Sequence, residues 1–541
     1  MLQGISRGRA AATVLAGCGF AAILGGTSFS GERFTNDTAQ YFSVADNLRA
    51  GRGLATSVIY YEEHYASGTV PAPQTVFPPG YPVAIALVAA TGVATPTAAF
   101  LIDLFSLGVS IWLLFSIALA RGHGPASALG GAAAFACLAL PWVYTHEMLS
   151  EPLFIALTLA GTRWLVGPQR QPAYGPPLLA GVAAAAAITV RYVGVFFAAA
   201  VAVVLAVELI RRRSRRTLIH GVAFALPVVV ATLTLFWRNA RLVGDFRGGN
   251  AHEVLKPLGG VLYTALKSTA SLLGVGLRLG PVELATLIAL ALIAALALRA
   301  RGQVSFALDA LAAAMRDRAA LLTAVYPLVS IAALLHLERT SSIGFYERML
   351  VPLVPFAFLF ALEAARTVKF GRRAPCRLAR VTLVAVAVAY LAGQAHVARA
   401  AFASPPRASM IASALAEPLG ETTVGDWLRA RATAEHPLFG NEPQLLGAVL
   451  GRPVVGLTAS QYSPRTWTAE AALRLIRAYG VEHVVLFPGP LSAGRAEDRL
   501  PVLAALAAGV VPSWLTPVHV SGAVHVYRVR TSDVSGSDPE P

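Results

Sequence analysis

The sequence predicts a polytopic α-helical membrane protein that ends in a small α/β domain, and three observations carry that prediction. Hydrophobic residues make up 56% of the 541, charged residues only 13%, and the mean hydropathy is +0.61, so most of the chain must face lipid or its own interior. Apolar runs of about 20 residues, the length that crosses the hydrocarbon core, recur up to Ala400. Beyond Ala400 the chain turns polar, and short β-rich runs alternate with amphipathic stretches as far as Arg530.

The charge pattern agrees. Lys and Arg outnumber Asp and Glu by 15, which in a soluble chain would suggest nucleic acid. Here the arginines sit in short connections between apolar runs, so they orient the chain in a bilayer and nucleic acid is not expected as a partner. Cys18, Cys137 and Cys376 form no CxxC pair and no disulfide framework. The run Ala10–Phe29 behind Arg7 and Arg9 reads as a retained first helix, because it is long enough to span and no small-residue cleavage site precedes Glu32.

Taken in order, helix one places the following polar interval, Gly31–Phe77, on the outer face. Tyr81–Thr91 is too short to span and is bracketed by Pro78, Pro79, Pro82 and Gly92; it reads as interfacial or re-entrant. The remaining spans are Thr97–Ala120, Ala126–Tyr144, Ser150–Val166, Pro177–Val190, Val193–Ile210, Leu218–Trp237, Val282–Leu298, Ala319–Leu337, Met349–Ala365 and Leu378–Val397. With helix one they make about eleven, and Arg211–Arg216 then falls inside and the C-terminus outside. Leu258–Leu273 reads as a helix on the membrane surface. Residues 1–400 thus form the membrane domain and 401–530 an extracytoplasmic α/β domain. Its strands are expected at Pro453–Leu457, His483–Phe487 and Ala523–Val529, its helices at Thr468–Ala478 and Pro501–Ala508. The tail 531–541 reads as disordered.

Chemistry in so apolar a chain is sought where polar residues gather at the membrane edge. The first outer loop concentrates Asp37, Asp46, Glu62, Glu63 and His64. Asp37 is also suited to cap a helix starting at Thr38. Arg191, Arg238, Arg241 and Arg348 lie at outer ends of spans, where they can bind an anion or snorkel to headgroups. Glu147 and Glu151, four apart, share a helix face; Glu151 lies at or inside the boundary, where a charge needs a partner. Glu62, Glu63, His64, His146, His252 and His336 offer ligands to a divalent cation, although no HExxH spacing occurs. Asp103 and Glu208, inside spans, read as helix contacts.

The motif D-x-x-x-Y-x-x-x-A-x-N-L-x-x-G-x-G at Asp37–Gly53, followed by F-P-P-G-Y-P at Phe77–Pro82, resembles the first outer loop of the C-type glycosyltransferase superfamily. The nearest branch is that of protein O-mannosyltransferases and lipid A aminoarabinose transferases. H-E-M-L-S-E-P-L-F at His146–Phe154, T-V-R-Y-V-G at Thr189–Gly194, W-R-N at Trp237–Asn239 and Y-E-R-M-L-V-P-L-V-P at Tyr346–Pro355 are similar to its later segments. The sequence departs from the family at Thr38, where many members carry a second acid.

The resemblance implies the C-type fold and transfer of a sugar from a polyprenyl-phosphate donor to an extracytoplasmic acceptor, a cell-envelope glycan, lipid or protein, by inverting single displacement. It puts the catalytic acid at Asp37. Arg191, Arg348, Arg238 and Arg241 become candidates for the donor phosphate; Glu147, Glu151, Glu62, Glu63 and His64 become candidates for acceptor or metal contact. A bacterial inner membrane is the expected location. Two other classes compete: a transporter or flippase, which would show broken helices and two similar halves, and a non-catalytic scaffold.

Overall fold

A computed structural model describes residues 31–166, 175–249, 253–272, 304–306, 317–342, 346–365, 368–370, 390, 392–403, 405–458, 467–488, 503, 505–506 and 508–530. The expected spans Ala10–Phe29 and Val282–Leu298, most of Leu378–Val397 and of Pro501–Ala508, and the tail from 531 lie outside them.

Helix α1 (Asn36–Arg49) is capped by Thr35, whose side chain accepts from Thr38 N. The helix therefore starts earlier than expected, and Asp37 lies in its first turn instead of acting as the cap. Gln40 and Asn47 are polar yet buried because the next loop needs them: Gln40 Nε2 donates to Val58 O at 3.3 Å and Asn47 Nδ2 to Ala55 O at 2.9 Å. These bonds fasten β1 (Ala55–Thr56) and β2 (Val58–Ile59) to the helix. After α2 (Glu62–Ser67), β3 (Ala72–Pro73) pairs antiparallel with β1.

The apolar helices follow: α3 (Gly80–Ala89), α4 (Thr95–Ala120), α5 (Pro125–Ala136), α6 (Ala139–His146), α7 (Glu151–Val166), α8 (Gly175–Val190), α9 (Gly194–Arg212), α10 (Arg215–Val243) and α11 (Leu258–Leu272). Then come β4 (Val304–Phe306), α12 (Arg318–Thr340), α13 (Glu347–Leu350), a 3-10 turn at Val351–Leu353, α14 (Val354–Ala365) and β5 (Val368–Phe370), which pairs with β4. Among the described residues five helices are long and apolar enough to cross a membrane, six if α5 and α6 form one bent span. That marks a multi-pass membrane protein. Helices α7 and α8 have only 16 residues each, and α3, at 10, is too short to span.

Two spans expected to be continuous are interrupted, and proline accounts for both. Helices α5 and α6 meet at 49°; Pro141 offers no N–H to the Cys137 carbonyl and its ring crowds that oxygen. Between α13 and α14, Pro352 and Pro355 open the ladder in the same way and leave a 3-10 turn.

The bundle closes by small-residue and aromatic contacts. Helix α8 lies between α7 and α10, and at Gly181 the approach is so close that a Cβ would stand 2.3 Å from Phe224 O. Tyr326 of α12 meets Phe197 of α9 and Phe356 of α14 edge-on, with ring centroids 5.3 and 4.6 Å apart. Within the spans Asp103 accepts from Tyr81 OH at 2.7 Å, and Glu208 pairs with Arg318, the helix contacts expected of these acids. Arg121 joins Asp317 at 2.6 Å and Glu363 at 2.9 Å, tying the ends of α4, α12 and α14.

Residues 392–403 form a further helix. The chain then runs through α15 (Arg407–Leu415), β6 (Pro418–Leu419), β7 (Thr422–Thr423), α16 (Val424–Arg429), β8 (Leu438–Gly440), α17 (Pro443–Leu450), β9 (Val454–Val455), α18 (Ala469–Ala478), β10 (His483–Leu486), β11 (Leu515–Val520) and β12 (His525–Val529). Six strands form one sheet in the order β11-β12-β10-β8-β9-β2. Strands β10, β8, β9 and β2 run parallel, β12 and β11 antiparallel. Its β2 edge comes from the first loop, with Val58 opposite Val454 and Ile59 opposite Val455. The α/β unit is therefore not built from residues after 400 alone, and α1 packs between α3 and α17.

Ile59 is fully buried in a cluster with Val455 and Trp467. Ile59→Ala is expected to cost about 2–5 kcal/mol locally and loosen this edge strand. Limited trypsin digestion should then cut faster at the exposed Arg52 than in the unaltered protein.

Candidate active site

Four charged side chains from four separate segments converge at one end of the bundle. Asp37 lies in the first turn of α1 and Glu151 is the first residue of α7, both at helix N-termini, where backbone N–H groups favour an anion. Arg191 directly follows the last residue of α8, where free carbonyls favour a cation. Arg348 is on the short α13, which runs on through the 3-10 turn into α14.

Glu151 is wholly buried and binds both arginines. Its Oε1 takes Arg191 Nη1 at 2.6 Å and also Arg348 Nε; its Oε2 takes Arg348 Nη2 at 3.3 Å. The remaining arm of Arg348, Nη1, pairs with Asp37 Oδ2. A buried carboxylate with two cationic partners has its desolvation offset, whereas a lone one would not stay ionised. Arg191 Nη1 also donates to Ser150 Oγ at 3.1 Å, and Tyr41 OH lies 3.4 Å from the same oxygen. Burial, reinforced by Asp37, pushes the Tyr41 phenol up to about 12, so it stays protonated. Arg191 Nε is buried with no hydrogen-bond partner among the described residues, a donor left over by the protein.

Of this network Asp37 and Arg348 line a cavity of about 590 Å³, together with Glu147, Tyr144 and Tyr346 and with Arg407 from the α/β unit; Glu151 and Arg191 do not line it. Glu147 follows α6, and its backbone carbonyl accepts from Thr38 Oγ1 at 2.6 Å. Thr38, where family members often carry the second acid, thus fixes the segment bearing another acid. Burial pushes Glu147 up to about 7, only partly opposed by Arg348. Arg407 pairs with Glu442, which burial likewise raises to about 7.

Of the residues singled out in the sequence, Asp37, Glu147, Glu151, Arg191 and Arg348 come together here. The others do not line this cavity. Arg238 donates to Leu54 O at 3.3 Å and holds the first loop. Arg241 is exposed and stacks over the Trp237 ring at 5.4 Å, the snorkelling alternative. Glu63 abuts Gly249, whose φ of +87° no other residue would adopt readily. Glu62 sits beside it in the first turn of α2. His64 is buried, faces Gln74 Oε1 at 3.3 Å and is lowered by burial to about 4, so it is a neutral loop anchor. His146 lies against the Phe100 and Phe402 rings; His252 is outside the described residues. Among the described residues no group of three or more His, Cys, Asp or Glu could hold a metal ion.

Sequence reasoning overlooked Arg33 and Arg407 at the cavity. Arg33 binds Ala401 O at 2.8 Å and stacks on Phe402. Its place beside the loop motif was a usable signal; that of Arg407, about 370 residues on from Asp37, was not, because only tertiary folding brings them together.

No protein-family model and no curated protein matches the chain. Solved structures do. ArnT from Cupriavidus metallidurans bound to undecaprenyl phosphate matches at 14% identity over 97% of this chain and 99% of that one, with a TM-score of 0.57. AglB, the archaeal oligosaccharyltransferase of Archaeoglobus fulgidus, solved with an inhibitory peptide and a dolichol-phosphate, matches at 10% over 97% of this chain and 74% of that one, at 0.53. The arabinofuranosyltransferase AftD from Mycobacteria matches at 16% over 97% of this chain and 40% of that one, at 0.53. The chain has the C-type glycosyltransferase fold.

Glu151→Gln leaves two buried arginines without their shared anion. It should cost about 3–5 kcal/mol, read as a lower thermal unfolding midpoint of the purified protein, whereas Glu62→Gln should leave that midpoint unchanged.

Proposed function

We propose that this protein is a membrane glycosyltransferase that moves a sugar from a polyprenyl-phosphate donor to an acceptor on the membrane face that carries α1. That face is the extracytoplasmic side of a bacterial inner membrane, since the Arg211–Arg216 cluster lies at the opposite end of α9. The observation that carries the reading is the placement of one carboxylate, Asp37, on a cavity wall beside two arginines held in register by a buried third party, Glu151. ArnT with undecaprenyl phosphate and AglB with a dolichol-phosphate share the fold and support a lipid-phosphate donor.

In this reaction Asp37 takes the proton of the acceptor hydroxyl as that oxygen attacks the anomeric carbon from the side opposite the phosphate. The bond from the anomeric carbon to the phosphate oxygen breaks, its electron pair stays on the polyprenyl phosphate, and the anomeric configuration inverts. Negative charge grows on the departing phosphate, and Arg348 and Arg191 offset it through charge-assisted hydrogen bonds. Glu147, across the cavity, contacts the acceptor. The interrupted helices would also suit a transporter. Here Glu147 and Arg348 line one cavity with Asp37, which favours catalysis.

Asp37→Asn should lower transfer from a synthetic polyprenyl-phosphate sugar by about 10²–10⁴-fold with folding intact; unchanged activity would point to a scaffold. Because burial raises Glu147 to about 7, it is protonated below that pH and ionised above it. Transfer should climb through pH 7 and level off, and Glu147→Gln should abolish that climb.

A further inference from the structure

We propose that Arg348 is an exchangeable counter-ion: in the free protein one of its arms pairs with Asp37, and an entering lipid-linked phosphate takes over that arm and leaves the Asp37 carboxylate to the acceptor. The inference rests on the reading of the site as a lipid-phosphate glycosyltransferase and adds an order of events to it.

The geometry assigns the arms of the guanidinium unequally. Nε and Nη2 both grip Glu151, a side chain with no exposure, and so anchor the group. Nη1 alone holds Asp37, whose side chain is 24% exposed and lines the cavity. A ligand entering the cavity can therefore compete for Nη1 without disturbing the Glu151 grip. Charge favours the competition. Asp37, Glu151, Arg191 and Arg348 sum to zero as they stand, so within this cluster a phosphate finds a net cation by displacing one of the acids. Glu151 is buried beneath both arginines; Asp37 is the acid that can be displaced. Once it is, its Oδ2 faces the cavity with no cation attached and can receive the acceptor proton.

The test measures binding of undecaprenyl phosphate, without sugar, to the full-length protein in nanodiscs at pH 8.5, where Glu147 is ionised. Asp37→Asn removes the competitor for Nη1, which is held by a charge-assisted bond, so affinity should rise by about tenfold. Glu147→Gln removes an acid of the same cavity that makes no hydrogen bond to the Arg348 guanidinium, and should raise affinity by clearly less than Asp37→Asn does, about twofold at most. Equal or weaker binding by Asp37→Asn, with the unaltered protein binding normally, overturns the exchange and leaves the functional reading standing. An equal gain in Glu147→Gln also overturns it, since plain repulsion between cavity acids and phosphate would then explain both. No binding by the unaltered protein overturns the donor reading and the exchange together. Unfolding midpoints establish that each variant is folded, and Asp37→Ser replaces Asp37→Asn should the latter fail to fold.

Discussion

The buried carboxylate of Glu151 is the constraint around which the charged end of the bundle is arranged. With no exposure to water it requires cations, and it takes two, Arg191 from the end of α8 and Arg348 from α13. Each arginine alone would be costly to bury, and neither could stand beside the other without an anion between them. Their proximity fixes where α7, α8 and α13 meet and leaves one guanidinium arm over for Asp37. Removing Glu151 takes from Arg191 its carboxylate partner and leaves Arg348 with Asp37; removing either arginine leaves Glu151 with a single cation. The site is thus held by electrostatic necessity as much as by packing.

A second constraint ties the site to the soluble part. Helix α1 carries Asp37 at its start and, farther along, Gln40 and Asn47, whose side-chain bonds pull the following loop into place. That loop supplies β2, the edge of the six-stranded sheet, and α1 packs on α17. The same α/β unit returns Arg407 to the cavity wall. Asp37, the loop and the α/β unit therefore form one mechanically continuous piece, and a disturbance of the sheet edge is transmitted to the helix bearing Asp37.

Likeness in fold to ArnT, AglB and AftD at 10–16% identity says how the helices are laid out. It does not say what is transferred, since one fold hosts many reactions. Function is carried by particular atoms: two carboxylates on one cavity, two arginines sharing a buried acid, and an unmatched Arg191 Nε.

By itself the sequence determined the membrane class, because hydropathy is a sum over residues and needs no partner. It also placed α1, the short α3, α11 and the strands at 454–455, 483–486 and 525–529, where local periodicity is strong. It marked Asp37, Glu147, Glu151, Arg191 and Arg348 through motif and position. It could not separate Arg191 and Arg348 from Arg238 and Arg241, since all four sit at helix ends and only the first two meet Glu151. It left Glu151 as either an acceptor or metal contact or the structural partner of an arginine, and the tertiary structure pairs it with two. The interruption of two spans, the recruitment of Val58–Ile59 into a distant sheet and the arrival of Arg407 at the cavity depend on contacts between segments hundreds of residues apart. Such contacts leave no local periodicity to read, so only the folded chain decided them.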